Sequence, residues 1–159
     1  NIVGIVPESL PLNAPSVSEI LEKVGGTVLA CEDRLDKPVE DFLVGAMTPE
    51  IALTYFRRSV NKAVITGGDR PDIQLAALQT SMSVLILTGN LYPDVRVLAR
   101  AEELGVPVLM VPYDTYTTVM RIAKVTGRIK PTDTEKIKLA KRLVEDYVDW
   151  RAILKALVD

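Results

Sequence analysis

Residues 63–78 read AVITGGDRPDIQLAAL. An apolar run, Ala63–Thr66, meets a glycine pair, Gly67-Gly68, then the charged Asp69-Arg70. Pro71 follows, and after it the pattern turns helical. Proline suits the first helical position, where its missing N–H costs nothing. The stretch therefore predicts a buried strand, a tight turn and a helix. Two readings of the turn stand side by side. It is either a cradle for a phosphate or nucleotide, or only a compact connection.

Working outward, the same alternation repeats. Strands are predicted at Ile2–Val6, Thr27–Ala30, Phe42–Val44, Ala63–Thr66, Val84–Thr88 and Val106–Val111. Several are apolar at consecutive positions, as strands covered on both faces are. Helices are predicted between them. Ser16 and Glu19 form a capping box for Val17–Val24, and Thr48 with Pro49 opens a helix to about Arg57. Further helices span Pro71–Thr80 and Asp94–Leu104, the latter closed by Gly105 and Pro107, and another follows Asp114. The tail from Pro131 is helical throughout, with Thr132 and Glu135 as a second capping box. The expected fold class is α/β, a three-layer α/β/α with a mostly parallel sheet plus C-terminal helices. The body is expected over residues 1–126, with a helical tail over 127–159 packing on the body or on a dimer partner. Gly127–Lys136 is the linker candidate. A chain that opens inside a strand is expected to have sequence upstream of Asn1.

The composition narrows the chemistry. The chain has 159 residues, a formal charge of −2 and no histidine. That removes imidazole acid–base catalysis, His-containing triads and His-based zinc sites. No basic footprint for nucleic acid is present, and no apolar run reaches the roughly 20 residues of a membrane span. The single Cys31 allows no internal disulfide and is expected to be a buried small hydrophobe in a reducing, cytoplasmic setting.

In an open α/β sheet, ligands bind beyond the carboxyl ends of the strands. Four turns leave strands in that direction: Val44–Glu50, Thr66–Asp72, Leu87–Asp94 and Val111–Thr118. In the second, Gly67 and Gly68 are expected at φ > 0, bringing N–H groups close to a ligand. Arg70 is able to fork two hydrogen bonds to a phosphate or carboxylate. Asp69 is placed to accept from a ribose or amine, to cap the helix, or to pair with the Arg70 guanidinium. Asp69 and Asp72 count against a phosphate. Neither GxxxxGK[ST] nor GxGxxG occurs. Asp114 and Thr115 offer a polar wall, and an ion pair between Asp114 and Arg70 is the expected link across the rim. At Thr88-Gly89-Asn90 a turn suffices, because Asn tolerates left-handed geometry. Met47 is expected to pack. Tyr147 and Trp150 are expected in a core or a dimer face.

Taken together, VITGGDRPDIQLAAL and LILTGNLYPD, with Val44-Gly45-Ala46-Met47 before them and Pro112-Tyr113-Asp114-Thr115 after, resemble the DRTGG domain. Asp69-Arg70 match the Asp-Arg of that name and Thr88-Gly89 its Thr-Gly, while Asn90 replaces the final glycine. Residues 1–38 look like the end of the dethiobiotin-synthetase-like region that precedes such domains in long-form phosphotransacetylases. The resemblance implies a structural likeness to the N-terminal domain of HPr kinase. It implies a regulatory, non-catalytic, dimer-forming module, of a kind that accompanies CBS domains in some pyrophosphatases. The site expected on the rim formed by the four turns comprises Gly67, Gly68, Asp69, Arg70, Asp72, Thr88, Gly89, Asn90, Asp114 and Thr115, open to a nucleotide or other anionic metabolite, with no catalytic residue, metal or resident cofactor. A part of a phosphotransacetylase or ATP-dependent ligase-like enzyme, and a purely structural dimerisation domain, are the other expectations.

Overall fold

The computed structural model describes residues 2–125, 127–129, 131 and 133–158. In chain order its elements are α1 (Leu10–Asn13), α2 (Val17–Val24), β1 (Thr27–Ala30), a 3-10 turn (Glu32–Arg34), β2 (Asp41–Val44), α3 (Pro49–Phe56), β3 (Lys62–Gly67), α4 (Pro71–Ala77), β4 (Val84–Thr88), α5 (Val95–Leu104), β5 (Val108–Met110), α6 (Thr115–Ile122), α7 (Thr134–Tyr147) and α8 (Trp150–Val158). They divide into two units. One is Ala14–Thr126; the other joins Asn1–Asn13 to Gly127–Asp159.

The Ala14–Thr126 unit is built on one five-stranded sheet in the order β1-β5-β4-β3-β2. β2 to β5 are parallel in sequential order, and β1 pairs antiparallel with β5. Each step from β2 to β5 moves one strand in the same direction. Right-handed crossovers then put α3, α4 and α5 on one face. The packing agrees. Ala52, Phe56, Ile73, Ala77, Val97 and Ala101 meet Val64, Leu85, Leu87 and Val108 in one core. On the other face, Val17, Ile20 and Val24 of α2 and Ile122 of α6 cover Ala63, Ile65, Val84, Ile86 and Leu109. Successive residues of β3 and β4 thus feed opposite layers, which is why those strands read apolar without alternation.

Local sequence explains the ends. The Ser16 hydroxyl accepts from the Glu19 N–H, and the Glu19 carboxylate accepts from the Ser16 N–H, so the capping box at α2 is formed. Asp94 and Asp114 cap α5 and α6 through Arg96 N–H and Thr117 N–H. Gly105 takes φ 63° to close α5, and the Lys37 ammonium donates to its carbonyl at 2.7 Å. Met47 and the half-buried Cys31 pack against the α3–α5 core.

In the second unit, the sequence expectation of a sheet strand at Ile2–Val6 is not met. Those residues are exposed, and their backbone makes one isolated antiparallel bridge, Gly4 with Val148. The reason is that consecutive apolar residues alone do not make a strand; a strand also needs a ladder of bridge partners, and here only Gly4 has one. Val3 carbonyl accepts from Asp149 N–H at 2.8 Å, and Asn13 carbonyl from Gly127 N–H at 3.0 Å, so the two arms of this unit run side by side. α7 and α8 follow the expected helical tail. The capping residue Thr132 lies outside the described residues. Tyr147 and Trp150 are 49% and 42% exposed, which excludes them from a core of this chain.

Candidate functional site

Because β2 to β5 are parallel, the turns that follow them all emerge at one edge of the sheet. The connections after β4 and β5 then diverge, to α5 on one face and α6 on the other. This is the topological switch point, the position where open α/β sheets leave a crevice. Here the crevice is closed by the chain itself. Gly89 N–H donates to Tyr113 carbonyl at 2.7 Å, and Asn90 N–H to Val111 carbonyl at 2.9 Å. Gly89 and Asn90 take φ 82° and 54°, which turn those N–H groups sideways.

The glycine pair behaves in the same way. Neither Gly67 nor Gly68 has positive φ, contrary to the sequence expectation. Gly68 is a glycine for lack of room, whereas at Gly67 only a movable side chain stands in the way. A Cβ on Gly68 would strike the backbone carbonyl of Leu91, and one on Gly67 would strike the Asp69 carboxylate. Gly68 N–H donates to Thr88 carbonyl at 3.2 Å. The amides that a phosphate cradle would aim outward at Gly68, Gly89 and Asn90 are therefore spent on neighbouring turns. Asp69 does not cap the helix either: the N-cap position of α4 is Arg70.

A line of hydroxyls completes the ties. Thr66 Oγ1 donates to Gly45 carbonyl at 3.0 Å, and Thr88 Oγ1 to Thr66 carbonyl at 3.4 Å. The hydroxyls of Thr88 and Thr115 are 3.0 Å apart. Together they join all four turns across the sheet. Two participants are not among the site residues expected from the sequence. Gly45 is one, because its Cβ would meet Ile73 and Thr66. Gln74 is the other. It is fully buried, donates Nε2–H to Gly67 carbonyl at 2.7 Å, and leaves its Oε1 with no partner among the described residues. A glutamine between Ile73 and Leu75 on a core-facing helix was the signal available for it.

Arg70 is the group that still faces outward. Its Nε and Nη2 donate to the two Asp72 carboxylate oxygens, each at 3.0 Å, and Nη2 also donates to Met47 carbonyl at 3.1 Å. The bridge to Asp114 expected from the sequence is not formed. Asp114 instead accepts from Thr117, N–H at 2.9 Å and hydroxyl at 2.6 Å. The strand order explains this. Arg70 follows β3 and leans to the β2 turn, while Asp114 follows β5, two strands the other way. The hydrogen bond from Arg70 holds the Asp72 carboxyl below the usual range and raises the guanidinium in turn. Thr117 does the same for Asp114. Nη1 of Arg70 has no partner among the described residues. The site residues thus fall in two clusters at one edge, Gly67–Arg70 with Asp72, and Thr88–Asn90 with Asp114 and Thr115, joined by the Gly68–Thr88 bond. Among the described residues no cluster of His, Cys, Asp and Glu is arranged to hold a metal, and no helix is long and apolar enough to cross a membrane. A concavity of about 740 Å3 lies in the other unit, lined by Val3 and residues 145–151.

Comparison with known proteins bears on the family of this chain. The chain is 32% identical over 167 residues to a phosphate acetyltransferase of Nitratidesulfovibrio vulgaris, an alignment covering 99% of this chain and 23% of that enzyme. The chain thus spans about a quarter of that relative's length. Its fold matches the crystal structure of the CBS and DRTGG domains from the regulatory region of Clostridium perfringens pyrophosphatase, complexed with its activator diadenosine tetraphosphate. The TM-score is 0.63 at 25% identity, over 79% of this chain and 56% of that one. The family model of the DRTGG domain matches residues 19–125, which contain the whole sheet and every turn of the rim, and on that match the chain belongs to the DRTGG domain family.

Proposed function

We propose that this chain is a non-catalytic, ligand-sensing module that works as a cytoplasmic homodimer, and that its sensor is the sheet edge around Arg70. The observation that carries this reading is the state of that guanidinium. Asp72 and the Met47 carbonyl hold its Nε and Nη2 edge, so its direction is set in advance, and Nη1 remains open to a ligand oxygen. A preset fork loses little freedom on binding. The hydroxyl line and the lateral amide bonds give it a rigid floor. The likeness to a pyrophosphatase regulatory region crystallised with an activator supports a regulatory role.

The carboxylates narrow the ligand. Asp69 and Asp72 outnumber Arg70 locally, and Asp114 stands at the neighbouring turn. A ligand with one anionic group and an uncharged remainder suits that balance better than a polyphosphate. Calorimetric titration of the chain with AMP, acetyl phosphate, ATP, acetyl-CoA and diadenosine tetraphosphate is the test. The expected outcome is tighter binding of the singly phosphorylated ligands, weakened about tenfold or more in Arg70→Ala, as for a charge-assisted hydrogen bond. Silence with all five ligands would leave the edge purely structural.

A second reading is favoured by the alignment with phosphate acetyltransferase, which takes in nearly the whole chain. Here the module is an accessory region of a phosphotransacetylase-like enzyme. Joined to such an enzyme, Arg70→Ala would change the ligand dependence of acetyl transfer and leave the rate without ligand intact.

A further inference from the structure

Among the described residues, the Oε1 of Gln74 is the one buried side-chain polar atom without a hydrogen-bond partner. Gln74 lies on α4 among the buried Ile73, Ala76 and Ala77, where an apolar side chain would suit the surroundings. Its Nε2 donates to the Gly67 carbonyl at 2.7 Å. That carbonyl also accepts from Arg70 N–H at 3.2 Å, so it would keep a donor without the amide. One surplus hydrogen bond contributes less than an unsatisfied buried acceptor costs. For stability alone Gln74 is a poor choice, and departures of that kind gather at functional sites.

The bond that the amide does make falls on the turn that carries Arg70. Gly67 and Gly68 have the widest backbone freedom of any residue pair. Neither has a side chain to pack, so hydrogen bonds hold the turn. Gly68 N–H to the Thr88 carbonyl and Arg70 N–H to the Gly67 carbonyl are both 3.2 Å, at the long end of the range. The amide bond from Gln74 is the shortest of the three, and Gln74 itself is fully buried. Its backbone N–H also donates to the Arg70 carbonyl at 3.0 Å. One residue thus ties Arg70 at both ends, at its carbonyl directly and at its N–H through the shared Gly67 carbonyl. The direction of the guanidinium depends on the backbone from which it hangs.

We propose that Gln74 is a positioning residue of the sensor: its amide fixes the Gly67–Arg70 turn so that the open edge of Arg70 meets a ligand anion, and it is retained for that at the expense of stability. This rests on the reading of Arg70 as the ligand contact. The test is a double-mutant cycle, read by calorimetric titration with AMP and with acetyl phosphate, on wild type, Gln74→Met, Arg70→Ala and the double variant. Gln74→Met keeps the length of the side chain and removes the amide. It should bind about tenfold more weakly, as a turn that must be ordered on binding does, while its urea midpoint stays at or above the wild-type value. In the Arg70→Ala background the same change should make little further difference, whereas a side chain that merely supports the fold would weaken binding equally in both. Gln74→Leu repeats the change with a different shape, as the control for packing. Wild-type affinity in both apolar variants, equal losses with and without Arg70, or a lowered urea midpoint in both would overturn the proposal and leave the Arg70 reading standing. Silence of the wild type with both ligands would remove that reading and this inference with it.

Discussion

Gly68 and Gly89 look interchangeable in the sequence and are needed for different reasons. Gly68 has ordinary backbone angles but no space, since a methyl there would meet a backbone carbonyl of the next turn. Gly89 has space, with only Leu91 side-chain atoms near, but sits at φ 82°. Gly68→Ala is therefore expected to cost about 2–3 kcal/mol, the scale of overpacking against an element that cannot yield. Gly89→Ala should cost about 1–2 kcal/mol, the left-handed penalty for an L residue. Urea unfolding of the two variants checks the order. Carboxylates at the same edge set an acid limit. Asp94, hydrogen bonded by the Arg96 guanidinium, is lowered from 3.8 to about 2, and Asp72 and Asp114 are also lowered. A carboxyl depressed in the folded state contributes stability above its unfolded pKa and loses it as pH falls through the folded one. Stability should accordingly decline from about pH 3.8 towards about pH 2. Asp94→Asn should flatten part of that decline in thermal melts recorded across the window.

The elements show what a single sequence makes legible. β4 lies where the apolar run Val84–Thr88 places it, and α2 opens at its capping box, because both signals are local. What stayed hidden depends on neighbours. The Arg70 partner was misassigned because two acids, Asp72 and Asp114, were equally available by type, and only the strand order separates them. The glycine pair suggested free amides, but the carbonyl that captures Gly68 N–H belongs to Thr88, 20 residues away. Lys62 is a further case. A lysine at the start of β3 reads as a solvated end, yet it is fully buried, donating to the carbonyls of Ser59 at 2.9 Å and of Ser81. It joins the two turns at the opposite edge of the sheet, close to Asp41, whose carboxylate accepts from Ser59 and Phe42. Burial lowers its pKa from 10.5. The folded protein then sheds this proton before the unfolded chain does, so stability rises with pH across the interval below 10.5. Lys62→Met leaves two carbonyls without their donor and should cost about 1–3 kcal/mol near neutrality. That deficit should widen as pH climbs toward 10.5 in paired denaturation curves.

At the scale of the whole molecule, the alternation of strand and helix foretold the α/β class and its parallel sheet. It did not foretell that the first residues would leave the sheet and keep company with the last. Strand order and the antiparallel β1 were also beyond it, since hydrophobic periodicity reports which face a residue serves and not which strand it borders. The two units should differ in their protection from solvent. Strands β3 and β4, central in the sheet and almost wholly buried, are expected to hold their amide hydrogens longest, near the global unfolding limit. The amides of α7 and α8 should exchange orders of magnitude faster in dilute protein. Hydrogen exchange followed by mass spectrometry distinguishes them.

The pairing of the two arms, Gly4 beside Val148 and Asn13 beside Gly127, also fixes how the protein meets a mechanical load. Tension applied between residues 3 and 149 pulls these contacts apart one after another, like a seam being unpicked, and each break needs little force. The parallel strands stay slack until the last of them has parted. In an optical trap the first rip should be short and weak, and the second, when the sheet finally takes the strain, long and abrupt.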